Sequence, residues 1–335
     1  MKMKRCPKCT SLMPEDVFTC IRCGFAAKAG AAPGATGSQA AVAAPANVVP
    51  VKAGRIANGW ALAVQSWRVL MLDKELLVFP LVSGIACFLV LASYAAGIFA
   101  TGILSGLHKP DAQVNEALLW VLGFIYYFVN YFIIVFFNVA LVACAMIRFR
   151  GGDPTVGDGL RAARERLVQI ASWALLAATV GVVLRMIEER VGFIGKIVTA
   201  LLGAAWAVAT YFVVPVLVVE NLGPVEAAKR SGQIIAKAWG EAIVGNVGVG
   251  ILSFLAVLLL VVPCGLATAF LAVSAKSAAI AIVGGLATLV LLVLVVLASS
   301  ALNAIILSAL YLYAAERKVP QAFEASRLQA AFVAR

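Results

Sequence analysis

The sequence predicts an all-α polytopic membrane protein: about six transmembrane helices, cytoplasmic interfacial amphipathic helices and a small N-terminal zinc ribbon. Three observations predict it. Of 335 residues, 63% are hydrophobic and 13% charged, about half the charged fraction of an average soluble chain, and the mean hydropathy is +1.00. The surplus is concentrated, since Ser277 to Ala315 is a run of 39 residues without Asp, Glu, Lys or Arg, and Ala242 to Ala275 is one of 34. Roughly 20 apolar residues cross a bilayer core, so a soluble globular protein is excluded, and the runs lack the ~10-residue alternation of a membrane barrel. Finally, four of the seven cysteines are crowded into the first 23 residues.

Residues 1–25 read as the zinc ribbon. Cys6-Pro7-Lys8-Cys9 and Cys20-Ile21-Arg22-Cys23 form two CxxC pairs ten residues apart. One tetrahedral Zn²⁺ takes four thiolates at about 2.3 Å, and a two-residue spacer turns both sulfurs of a pair toward one point. Cys6, Cys9, Cys20 and Cys23 are therefore the expected ligands of one structural zinc ion. A redox dithiol is the alternative, but such motifs come singly at a helix start. So small a module lacks a hydrophobic core, and the metal supplies its folding energy. Residues 26–54, rich in Ala, Gly and Pro with few large apolar side chains, read as a disordered linker.

The membrane domain is expected over 55–320, with spans at about 76–101, 117–147, 168–187, 194–219, 242–273 and 278–313, followed by a cytoplasmic tail at 321–335. The second and sixth exceed 30 residues, so they must tilt, protrude or bend, and Gly284-Gly285 is the expected break in the sixth. Of the 27 Lys and Arg, 22 fall in the N-terminal region, the loops near 148–167 and 220–241, and the tail; the alternate loops hold 5. By the positive-inside rule both termini are cytoplasmic, in a multi-pass protein of the cell inner (plasma) membrane. Much of the formal charge of +11 then reports orientation, with no need for a nucleic-acid partner.

Three cytoplasmic segments carry helical apolar stripes. In 55–75 the stripe is Ile56, Trp60, Val64, Trp67 and Met71. In 153–173 it is Val156, Leu160, Ala163, Leu167 and Ile170, opposite an Arg161-Glu165 pair. In 223–241 it is Val225, Ala228, Ile235 and Trp239, with Glu226-Arg230 on the wet side. Basic amphipathic helices with Trp suit the headgroup plane, so membrane lipids are expected partners, and sensing of anionic lipid is one possible use. The unit of interfacial helix plus hairpin occurs three times, although Trp67, Trp173 and Trp239 show no fixed period.

Inside the spans the expected bilayer centre holds no ionisable residue, whereas intramembrane carboxylates or His mark proton and ion pathways. Asn130, Asn138, Asn246 and Asn303 fit interhelical hydrogen bonding. Pro80, Pro215 and Pro263 fit kinks or interruptions. Cys87, Cys144 and Cys264 fit packing roles, and His108 lies in an outer loop. No catalytic residue or organic cofactor site is expected.

The stretches GRIANGWALAVQSWRVLMLDKELLVFPLVSG, RFRGGDPTVGDGLRAARERL, RMIEERVGFIGK and YFVVPVLVVENLGPVEAAKRSGQIIAKAWGEAIVGN together resemble an uncharacterised bacterial integral-membrane family, a domain of unknown function, over about residues 54–320. The plan of interfacial helix plus hairpin is also similar to the membrane domain attached to some glycerophosphodiester phosphodiesterases, without their catalytic barrel. The Cys pairs resemble the zinc ribbons fused to bacterial membrane proteins. The function expected is a non-enzymatic membrane protein whose cytoplasmic ribbon serves as an adaptor for a protein partner. The alternative is a transporter or channel for a lipid-like or small hydrophobic molecule.

Overall fold

The computed structural model describes residues 3–5, 12–14, 42–43, 55–100, 116–237, 253–320 and 322–330. The four Cys of the expected zinc site, His108, Trp239 and Asn246 lie outside these residues. The chain divides into two units, Met1–Ser38 and Gln39–Arg335.

In the first unit, β1 (Met3–Arg5) pairs antiparallel with β2 (Leu12–Pro14), setting Met3 opposite Pro14 and Arg5 opposite Leu12. In sequence, the connection between these strands carries Cys6 and Cys9.

The second unit is helical. It contains α1 (Arg55–Leu72), a 3-10 turn (Lys74–Leu77), α2 (Val78–Ala100), α3 (Glu116–Phe149), α4 (Val156–Arg164), α5 (Leu167–Ala209), α6 (Val213–Val219) and α7 (Pro224–Lys237). A π-helical turn (Val257–Val261), α8 (Val262–Ser274), α9 (Ala278–Glu316) and α10 (Ala325–Ala330) follow. One short ribbon joins distant parts of the chain. β3 (Val42–Ala43), inside the stretch expected to be linker, pairs antiparallel with β4 (Lys318–Val319). Two backbone-paired residues need no large side chains, so the composition of 26–54 gave no sign of them. Arg317, left-handed at φ 53°, ends α9 and turns the chain into β4.

Among the described residues six helical segments are long and apolar enough to cross a membrane: Lys74–Ala100, Leu118–Phe149, Leu167–Arg190, Gly195–Val219, Ser253–Ser274 and Ala278–Glu316. The third and fourth are arms of one hairpin. Leu167–Ala209 is helical on both arms, and in one straight helix Trp173 and Trp206 would stand about 50 Å apart. Their rings instead stack with centroids 5.9 Å apart, so the chain doubles back between them. Arg166 Nε, donating to the Leu217 carbonyl at 3.0 Å, ties the two arms at their other end.

The long second and sixth helices resolve by protruding. Glu116–Asn138 and Ala278–Ser300 each cover about 34 Å, close to the ~30 Å hydrocarbon thickness. Immediately afterwards both helices become buried: Val139–Met146 of α3, and Ala301, Leu302 and Ala304–Ile306 of α9. Around them pack α1, the 3-10 turn, α4, α6, α7 and α10, with Phe79, Leu62, Leu70, Phe212, Leu217 and Tyr311 among the most enclosed side chains. We call this the packed end; the other halves of the helices form the open end.

Several local expectations change. Gly284-Gly285 does not break α9. Gly284 is where the helix meets α8, and a Cβ added there would run into Thr268. Pro263 sits in the first turn of α8, directly after the π-helical turn, where the missing N–H is absorbed. Pro215 lies in α6, after the helix is interrupted at Thr210–Phe212; the Phe212 N–H at this break donates to the buried Ser231 Oγ at 2.9 Å. Pro80 sits in the first turn of α2 without interrupting it.

The amphipathic helices differ among themselves. In α1 the stripe faces outward, with Trp60 56% and Trp67 47% exposed, while Leu62, Ser66, Val69 and Leu70 on the other face are buried. The 153–173 stripe, carried by α4 and the start of α5, faces the protein except at Leu167, which is exposed: Val156 and Leu160 pack on the core, Ala163 and Ile170 are fully buried, and Trp173 is enclosed. In α7 Ile235 is buried and Ala228 packs on the core, though Val225 remains exposed. The headgroup placement therefore fits α1, whereas most of the α4 and α7 stripes are covered by the protein's own helices.

Candidate functional site

Two clusters of described ionisable side chains at the packed end tie remote helix ends together; pairs such as Arg150 with Glu316 and Arg327 with Glu324 lie apart from them. In the first, Asp73, following α1, is buried and accepts from both Nε and Nη2 of Arg148 near the end of α3; Arg148 Nη2 also donates to Asp153. Glu75 Oε2 accepts from the Val156 backbone N–H at 3.3 Å. Thr155 caps α4 reciprocally with Asp158: Asp158 N–H donates to Thr155 Oγ1 at 3.2 Å, and Thr155 N–H donates to Asp158 Oδ2 at 3.1 Å. Hydrogen bonds from the Thr155 hydroxyl and backbone hold the Asp158 carboxyl below the usual carboxylate range. Cys144 is buried, its thiol donating to the Thr155 carbonyl at 3.4 Å. Gly159 brings α4 so close to α3 that a Cβ would stand 2.6 Å from Phe79 Cζ, 2.7 Å from Cys144 Sγ and 2.8 Å from the Ala140 carbonyl.

In the second cluster Glu220, just beyond α6, accepts from Arg230 Nε on both oxygens at 2.9 Å and from the Tyr311 hydroxyl at 2.9 Å. These contacts replace the pairs read from helical spacing. Arg230 joins Glu220 instead of Glu226, and Arg161 comes within 4.0 Å of Asp158 instead of Glu165, because α4 ends at Arg164. Both clusters lash helix ends together. The partners Asp73 and Arg148, or Glu220 and Tyr311, are 75 and 91 positions apart, so no local pattern announces them.

At the open end, Arg185 and Glu189 pair at 3.1 Å. They border two cavities of about 610 and 660 Å³, with Trp120, Tyr126 and Tyr127 on one side and Lys196 and Thr199 on the other. A larger cavity of about 750 Å³ lies between α2, α3 and α9. Its walls are mainly apolar, with Ser83, Asn138 and Ser300 as polar exceptions.

The intramembrane Asn residues do not all act as expected. Asn130 donates to the Tyr126 carbonyl of its own helix at 2.9 Å. Asn303 Oδ1 is buried and finds no partner among the described residues, and Asn138 faces the cavity. Cys87, Cys144 and Cys264 are free thiols, Cys264 accepting from the Thr288 hydroxyl at 3.6 Å. Among the described residues no group of three His, Cys, Asp or Glu side chains is placed to hold a metal.

Six apolar spans joined at one end by a buried, ion-paired core fit a multi-pass integral membrane protein. The chain belongs to DUF6159, a family of unknown function, through a match over residues 117–320. No curated protein and no solved structure matches it.

Proposed function

We propose that this chain is a non-enzymatic inner-membrane protein whose N-terminal unit is a zinc-binding adaptor for a cytoplasmic protein partner. One observation carries the reading. Met1–Ser38 forms a unit of its own, and its antiparallel strands Met3–Arg5 and Leu12–Pro14 flank in sequence the first of two CxxC pairs. One Zn²⁺ held by Cys6, Cys9, Cys20 and Cys23 would supply the folding energy that so small a unit lacks. The charge bias toward the loops of one side supports cytoplasmic termini, where reduced thiols persist. The non-enzymatic part draws on Asp73, Arg148, Glu220 and Arg230, which are engaged with one another in lashing helix ends. The likeness to the membrane domain of some glycerophosphodiester phosphodiesterases enters as architecture alone.

Metal analysis of the purified full-length protein should find one zinc per chain, lost in a Cys20→Ser, Cys23→Ser variant. Capture from membranes should lose a specific partner in the same variant. Retention of every partner by the zinc-free protein would defeat the adaptor role.

A second reading, passage of a lipid-like molecule, is favoured by the interruptions at Thr210–Phe212 and before Pro263, since broken helices mark transport pathways. Flux of a fluorescent lipid across proteoliposomes at the rate of protein-free vesicles would remove it.

A further inference from the structure

The cavity between α2, α3 and α9 has a direction. Along α9 it runs from Ser300 to Leu289, about 17 Å, which is close to the depth of one leaflet's hydrocarbon, about 15 Å. Its polar side chains collect at one end. Asn138 and Ser300 are the last residues of α3 and α9 before those helices enter the packed core, and Ser83 lies near the start of α2 on the same side. The opposite end is lined by Phe88, Leu289 and Leu292. Among the described residues no Asp, Glu, Lys, Arg or His lines it, a lining that suits an uncharged group. Neither the Asn138 nor the Ser300 side chain has a hydrogen-bond partner among the described residues. Both are therefore free to donate at the depth where the hydrocarbon of a leaflet ends. The cavity opens sideways: Phe88, Ile85 and Leu289 on its rim are exposed, so a chain can enter from the bilayer without crossing the protein.

We propose that this cavity binds one acyl chain of a phospholipid from the leaflet at the packed end, with the chain's ester carbonyl accepting hydrogen bonds from the Asn138 amide and the Ser300 hydroxyl. Length, polarity and absence of charge are matched together: the tail fills the apolar stretch, the ester meets the two free donors, and the charged headgroup stays outside. A volume of about 750 Å³ lies in the range of small-molecule sites, roughly 300–1,000 Å³, which pair apolar walls with a few polar groups. The site requires neither bound zinc nor transport, so it stands apart from both functional readings.

The test uses the full-length protein in nanodiscs of phosphatidylcholine containing a small fraction of phosphatidylcholine with a diazirine in one acyl chain. Labelled peptides are mapped after irradiation. Labelling of Ile85, Phe88 and Leu289 should exceed that of Leu266 and Phe270, which are exposed on α8, by about tenfold, equivalent to about 1.4 kcal/mol of preference. Gly84→Phe should abolish the excess, because a Cβ at Gly84 meets nothing within 4 Å and the ring enters the cavity. Leu289→Trp fills it from the opposite wall and guards against a folding defect in the first variant. Asn138→Leu should lower labelling by the ester probe about fivefold, the worth of roughly one neutral hydrogen bond, and leave an ether-linked probe unchanged; Ser300→Ala should act in the same direction. Equal labelling of the cavity and α8 would overturn the proposal, as would indifference to both filling variants. Ester and ether probes that respond alike would do the same.

Discussion

Residues 278–300 and 301–315 belong to one unbroken helix and to one charge-free run, yet they live in different solvents. In the first stretch Val283, Leu286, Val290 and Leu294 are exposed, and the contacts the helix makes include Gly284 with Thr268 and Thr288 with Cys264 on α8. In the second, Ile305, Ala309 and Leu310 are fully buried, and Tyr311 is 1% exposed. α3 repeats the division at Asn138. Hydropathy is blind to this boundary because lipid tails are as apolar as leucine. What marks it is the company kept: the packed end gathers the amphipathic helices and most of the described ion pairs, and the open end, apart from the pair of Arg185 with Glu189, is left to the bilayer.

The sharpest way to break the comparison is a pair of glycines. Gly159→Ala drives a methyl into Phe79, Cys144 and the Ala140 carbonyl, and should cost about 3 kcal/mol by overpacking. Gly285→Ala on the open half of α9, where a Cβ meets nothing within 4 Å, should be neutral or gain up to ~1 kcal/mol of helix propensity. Thermal unfolding in a mild detergent checks both, and equal effects would erase the distinction between the ends. Next comes Ile305→Ala against Leu294→Ala. The first should lose about 2–4 kcal/mol, whereas the second, facing lipid, should stay within ~0.5 kcal/mol.

Removal of one partner from the first cluster by Asp73→Asn should cost about 2–3 kcal/mol, because Asp73 is buried and Arg148 would keep only the exposed Asp153 as its carboxylate partner. Tyr311→Phe removes one hydrogen bond to a carboxylate, and about 1.5 kcal/mol should go with it. The smallest effect is one of pH. Asp158 has a folded-state pKa below its ordinary 3.8, so the stability it lends to α4 is present above that value and fades as the pH falls below it. Hydrogen exchange at the first turn of α4 should quicken in that range, and Asp158→Asn should flatten the dependence.

That the chain carries six helices long and apolar enough to span was legible because lipid demands long apolar helices, and the inner ends of the long ones were legible as excess length. Which way an amphipathic stripe faces was not. The pattern that turns Trp60 and Trp67 outward in α1 turns Ala163 of α4 and Ile170 of α5 inward, because a stripe specifies an apolar neighbour without saying whether that neighbour is lipid or α3. The lashings of Asp73 to Arg148 and Glu220 to Tyr311 depend on hairpins bringing remote loops together, and no residue spacing encodes that. Asn138 was visible as an odd polar residue in a span; Ser300 gains meaning only beside it, across the cavity.

The one-ended core has a consequence for the bilayer itself. Helical stretches of about 34 Å are slightly long for a 30 Å hydrocarbon layer and fit it at a tilt near 28°, whereas a layer a few ångströms thicker stands them more upright. Because their firm packing lies beyond Asn138 and Ser300, such changes swing the free halves of α3 and α9 like spokes from a hub. The width of the opening between α2 and α9 is then coupled to the thickness of the membrane around it.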